Sequence, residues 1–167
     1  MRVLGIDPSS RATGYGLIES AEGDPSALAY GAVKPPARAS LPAKLLAIKS
    51  GIAGLIALHR PDEIAVENPF LAKNTKTALL LGQVRGAVLV AVAEAGLPLY
   101  EYSPLEIKKA VTGYGQAEKS QVGVMIRALL RMEGADMEED AADALACALC
   151  HLHTSLFLRM VEETKIR

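Results

Sequence analysis

Apolar positions recur every second residue in the first part of the chain and every third or fourth residue later. The first period is that of strands, the second that of helices. Residues 2–7 read as a strand, with Val3, Gly5 and Asp7 on one side and Leu4 and Ile6 on the other. Pro8-Ser9-Ser10 makes a turn. Thr13 to Glu19 reads as a second strand, and Gly14 and Gly16 leave one of its faces bare. A turn at Glu22-Gly23-Asp24-Pro25 leads to a third strand from Ala27 to Val33, and Lys34-Pro35-Pro36 ends the meander.

Helical spacing then runs from Leu41 to His59 through Leu45, Ile48, Ile52, Leu55 and Ile56. Glu63 to Glu67 is a short β-rich run. Lys73 to Ala95 reads as a long helix stopped by Gly96. Pro98 to Tyr102 is a further strand. Ser103 is placed to cap a helix to about Val111, with Pro104 at its first position. Helices from Gln116 to Arg131 and from Asp136 to Met160 complete the pattern. The order β-β-β-α-β-α-β-α-α-α predicts an α/β fold, a mixed five-stranded sheet with helices on both faces. No repeat or linker divides it, so residues 1–160 read as one domain and residues 161–167 as a frayed tail.

Composition changes little in this picture. Half of the 167 residues are hydrophobic and only 4% are aromatic, so the core is built from Ala, Leu, Val and Ile. Two cysteines make no disulfide framework, and the first residues show no signal-peptide pattern. Both point to a reduced, cytoplasmic protein. The apolar run Ala87 to Ala93 ends at Glu94 and is too short to span a bilayer, so no membrane role is expected. Net charge is −1, yet its distribution is uneven. Residues 73–131 carry 8 basic and 4 acidic side chains, net +4, and residues 132–167 carry 3 and 8, net −5. A basic middle beside an acidic end suits a polyanion groove next to a cation pocket, although solvated helices vary this much on their own.

Four acids stand in apolar settings. Asp7 closes Val3-Leu4-Gly5-Ile6, Glu67 closes Ile64-Ala65-Val66, and Asp140 and Asp143 lie three apart at the start of an apolar helix. Buried carboxylates are costly unless neutralised, paired or bound to metal. If the first and fourth strands are parallel neighbours, Asp7 and Glu67 share the carboxyl edge of the sheet, where such folds place their sites. Asp140 and Asp143 share a helix face. A Leu stripe at 145, 149, 152 and 156 occupies another side, and the alanines at 141, 142, 144, 146 and 148 keep that helix thin. Taken singly, each acid could be a turn former or strand terminator. Together they form an oxygen-rich pocket for divalent cations and point to phosphodiester cleavage. Asp136, Glu138 and Glu139 read as helix-start chemistry and are left out of the site. Cys147, Cys150, His151 and His153 read as ordinary helix packing.

Several segments carry a resemblance: Gly5-Ile6-Asp7-Pro8 with Thr13-Gly14-Tyr15-Gly16, Val66-Glu67 with Phe70-Leu71-Ala72-Lys73-Asn74, Leu81-Gly82-Gln83-Val84-Arg85-Gly86, Gly115 to Val122, and Asp140-Ala141-Ala142-Asp143-Ala144-Leu145. In this order the chain closely resembles the RuvC family of crossover-junction (Holliday junction) endodeoxyribonucleases, which have the ribonuclease-H-like fold. The resemblance implies a catalytic tetrad of Asp7, Glu67, Asp140 and Asp143. It implies Mg²⁺ as cofactor, two ions per site about 3.5–4 Å apart, with Mn²⁺ a substitute. Lys108 and Lys119 match two basic positions near the scissile strand. Phe70 matches an aromatic placed to stack on an unpaired base. Lys73, Asn74, Lys76 and Arg85 are weaker candidates for DNA contact. The implied partners are a four-way DNA junction, a second copy of the chain with the 73–95 helix near the interface, and a branch-migration helicase complex. The implied role is recombination and repair. An actin-like ATPase would need a second domain and an adenosine motif. A junction-binding module without catalysis does not need the intact tetrad. A ribosomal-RNA-processing relative fits the 70–74 and 117–121 segments less well.

Overall fold

Strand alternation in the first part of the chain produces a three-stranded meander. It comprises β1 (Arg2–Asp7), β2 (Thr13–Ala21) and β3 (Asp24–Val33), each antiparallel to the one before it. The computed structural model describes residues 1–21, 24–68 and 74–165, with side chains to residue 158. The helix α1 (Leu41–His59) returns the chain to β4 (Glu63–Glu67), and α2 (Thr75–Ala95) returns it to β5 (Leu99–Tyr102). Both returns are crossovers, so β4 is parallel to β1 and β5 is parallel to β4. The sheet order is β3-β2-β1-β4-β5. Three helices close the chain: α3 (Pro104–Thr112), α4 (Lys119–Leu129) and α5 (Glu139–Lys165).

The sheet divides the core in two, as the alternation in β1 requires. Leu4, Ile6, Leu17, Ile64 and Val66 face α1 and α2, where Ile48, Ile52, Val84 and Val88 cover them. Val3, Ile18 and Ala65 face the other way, onto Ile107, Ile126, Leu145 and Leu149 of α3, α4 and α5. Leu17 and Ile18 are adjacent yet belong to different cores, and a register shift in the β2–β3 ladder falls between them.

The approach of α5 is unusually close. A Cβ on Gly5 would lie 2.0 Å from the Ala144 carbonyl oxygen, and one on Gly14 would lie 2.0 Å from that of Asp140. Only glycine leaves room for helix backbone at these two strand positions. Ala144 and Ala148 complete the contact from the helix side. The bare face seen in the strand pattern is therefore the seat of α5.

Some boundaries differ from the sequence reading. The β2–β3 hairpin is longer at its turn end, because Ser20 and Ala21 keep pairing with Pro25 and Asp24. Asn74 caps α2 by accepting the Thr77 amide at 2.9 Å, so the helix starts later than Lys73. Ser103 and Glu106 form the expected cap of α3, a reciprocal capping box. α5 starts at Glu139 and continues to Lys165, past the point where fraying was expected, since no Gly or Pro interrupts residues 139–165. The short-run argument against a membrane span also needs correction. By length and composition alone α1, α2 and α5 are each apolar enough to cross a membrane. Here they cover the sheet.

Candidate active site

Asp7 is the last residue of β1 and Glu67 the last of β4. The parallel register pairs Ile6 with Val66, so the two acids follow side by side at the carboxyl edge. Both share the strand face of Gly5 and Ala65, which is the α5 face. α5 lays its first turns across that edge and brings Asp140 and Asp143 with it. The chain after Asp7 is tied down by Thr13, which is fully buried. Its hydroxyl donates to the Ser9 carbonyl at 2.8 Å and accepts the Ser9 amide at 3.4 Å.

The four acids act on one another. Burial, then Asp143 and Asp140, pushes the Asp7 carboxyl up to about 7. Burial, then Asp7 and Asp143, does the same for Glu67, also to about 7. Asp140 is raised by burial and by Asp143. These are desolvated like charges held together. Among the described residues no donor hydrogen-bonds the carboxylates of Asp7, Glu67 or Asp140.

Among the described residues, one ammonium bonds directly to the cluster. The Lys119 ammonium donates to Asp143 at 2.9 Å and to Glu139 at 2.5 Å. Burial opposes its charge, but the bonds to Glu139 and Asp143 outweigh burial and raise its pKa. Lys108 acts on Glu67 and lowers its pKa, which places both predicted lysines at the acid cluster. Lys109 is exposed.

The donor set suits hard divalent cations. It offers only carboxylate oxygens, it carries excess negative charge, and only Asp143 of the four accepts a hydrogen bond among the described residues. No ready-made shell of three His, Cys, Asp or Glu side chains exists among the described residues. The residues fit a hard divalent cation in chemistry.

Other sequence candidates fare differently. Phe70 and Lys73 lie outside the described residues. Asn74 is occupied as the cap of α2. Lys76 is exposed and forms no ion pair among the described residues. Arg85 is not an open cation: its guanidinium is taken up by Glu101 of β5. Glu139 was set aside as helix-start chemistry, and α5 does begin there. Yet it holds Lys119 at the site, and that bond lowers its own pKa. The only signal in the sequence was its place next to Asp140. The thiols of Cys147 and Cys150 are both pushed up by burial and stay neutral.

Comparison with known proteins identifies the family. Residues 3–151 match the family model of crossover junction endodeoxyribonuclease RuvC. The RuvC of Halorhodospira halophila is 52% identical over 91% of this chain and 90% of its own. That of Syntrophomonas wolfei is 46% identical over 92% and 90%. Among solved structures, Thermus thermophilus RuvC in complex with a Holliday junction substrate superposes with a TM-score of 0.87. It is 33% identical and covers 93% of this chain and 94% of that one.

Proposed function

The chain belongs to the family of crossover junction endodeoxyribonuclease RuvC, the Holliday junction resolvases of DNA recombination and repair, and from that premise we propose how its own residues cut the junction. Asp7, Glu67, Asp140 and Asp143 would hold two Mg²⁺ ions, for which Mn²⁺ would substitute. The chemistry such ions would supply there is activation of a water and stabilisation of the leaving 3′-oxygen. Water adds to the phosphorus and the P–O3′ bond breaks, leaving a 5′-phosphate and a 3′-hydroxyl. Lys119 is exposed enough to turn from Asp143 toward a phosphate, and Lys108 stands beside Glu67. Both offer positive charge to the scissile phosphate. The observation that carries this reading is the acid cluster itself. Two partly buried carboxyls are held near neutral pKa, with no donor on their oxygens among the described residues.

A four-way junction needs two symmetric nicks, which a two-fold dimer supplies. The outer stripe of α2 suits that contact. Leu79 and Val90 are exposed, and Gly82 and Gly86 between them have open space where a Cβ would stand. A DNA substrate fits a cytoplasmic location. A branch-migration helicase as partner rests on the family resemblance alone.

The test is nicking of a synthetic four-way junction with Mg²⁺, beside linear duplex and an Asp140→Asn control. Paired symmetric nicks on the junction, absent in the control, are expected. Binding without nicks across several core sequences, with Mn²⁺ also tried, would reduce the protein to a junction-binding module.

A further inference from the structure

The contact between β4 and α5 has a second end. At the carboxyl edge Glu67 faces Asp143. At the opposite end Glu63 faces His151, with Oε2 of Glu63 2.5 Å from Nε2 of His151. Between the two ends lies the buried Cys147 thiol, which feels Glu67. Asp143, Cys147 and His151 are each four apart on α5, so they form one face. Glu63, Ala65 and Glu67 alternate on β4, so they form one face as well. α5 therefore runs antiparallel to β4, and the two elements meet at matched rungs.

The spacing of the rungs matches. Eight helical residues from Asp143 to His151 rise about 12 Å. Four strand residues from Glu67 to Glu63 span about 13 Å. A rung made at one end thus sets the alignment at the other.

The His151 ring is well held. It is 2% exposed, its Nδ1 lies 2.7 Å from the Tyr102 hydroxyl, and Tyr100 stacks on it at 4.3 Å between centroids. A proton on Nε2 satisfies both contacts, because the ring then donates to Glu63 and accepts from Tyr102. The Tyr102 hydroxyl keeps its proton, since burial pushes its pKa up to about 12.

We infer that the His151–Glu63 rung holds α5 in register on β4 and so sets the spacing of Asp143 against Glu67. His151 is then a positioning residue. It sits two helical turns from the nearest acid of the site and does not touch it. Acids that repel drift apart unless something else fixes their carriers, and this rung supplies that restraint. The inference rests on the reading of the four acids as a cation centre.

The test is calorimetric titration of Mn²⁺ into the protein without DNA, beside its thermal unfolding. His151→Leu and Glu63→Leu are expected to weaken Mn²⁺ binding about tenfold, the scale on which supports behind metal ligands act. Glu63→Gln keeps a hydrogen-bond acceptor for Nε2 and is expected to stay within about twofold of the parent. Excess Mg²⁺ should restore nicking to the Leu variants. If His151→Leu does not fold, Glu63→Leu carries the test, because the Glu63 side chain is already 17% exposed. Leu variants that melt lower yet bind Mn²⁺ like the parent would make the rung merely structural and overturn the inference. A parent protein that binds no Mn²⁺ would instead overturn the metal reading of the site.

Discussion

The two ends of the β4–α5 contact share backbone geometry and differ in their charges. At one end His151 is almost fully buried, and both ring nitrogens have partners. At the other end Asp7, Glu67 and Asp140 are held against one another with no donor among the described residues, and Lys119 is the one ammonium bonded to the cluster. The satisfied end contributes order, and the unsatisfied end contributes chemistry. A fold can keep a strained acid cluster when the same helix and strand are fixed elsewhere. The glycine seat under α5 belongs to the fixing side of this contrast.

Removing charge from the reactive end tests the contrast most sharply. Asp7→Asn is expected to lower junction nicking by a thousandfold or more, about 4 kcal/mol in the barrier. Junction affinity should survive, as read by gel shift beside the nicking assay. Nicking that persists, or binding lost together with it, would show that Asp7 does not act as a purely catalytic acid.

Disturbing the seat should move both ends together. A Cβ at Gly5 would meet the Ala144 carbonyl oxygen at 2.0 Å and the Ala148 amide nitrogen at 2.7 Å. Neither is the tip of a flexible side chain. Gly5→Val is expected to cost about 3 kcal/mol in a urea titration, the upper range for overpacking. A midpoint equal to the parent's would show that α5 is not clamped to β1.

The acid cluster also sets a pH dependence. Asp7 and Glu67 have ordinary values of 3.8 and 4.5, and the fold raises both to about 7. Between those limits the folded protein binds more protons than the unfolded chain. Their contribution to stability is therefore fully present below about pH 4 and is lost as pH rises through 7. In a chelator at pH 8 the parent should be less stable than Asp7→Asn by about 2 kcal/mol. Added Mg²⁺ should reverse that order. A parent whose melting temperature in chelator holds steady from pH 5 to pH 8 would contradict the strained-cluster view.

The smallest expected effect belongs to Lys119. Its side chain is 62% exposed, so Lys119→Met should change stability by no more than about 1 kcal/mol. Nicking should still fall, by about tenfold to a hundredfold. A variant with full nicking activity would confine Lys119 to pairing with Glu139 and Asp143.

Much of this was legible in the sequence. Alternation in Val3 to Asp7 gave both the strand and its two faces, and the fold puts Leu4 and Ile6 in one core and Val3 in the other. The Ser103-Pro104 pair marked the start of α3, and Glu106 completes the box. Asp7, Glu67, Asp140 and Asp143 were conspicuous because an acid ending an apolar run is chemically out of place. The pairings of these elements were not legible. His151 read as helix packing, Glu139 as a helix start, and Arg85 as a weaker candidate for DNA contact. Each found its partner through the fold: His151 met Glu63 at a separation of 88 residues, Lys119 met Glu139 at 20, and Arg85 met Glu101 at 16.

The sequence alone determined the elements, their buried faces and the acids at their ends, because periodicity and polarity act between neighbours along the chain. Only the tertiary structure decided that the Gly5–Gly14 face receives α5, and that Lys119 stands among the acids. It also decided that a buried histidine braces the far end of the same contact. Those outcomes depend on which side chains meet across a sheet, and hydrogen bonds of that kind have no signature in local order.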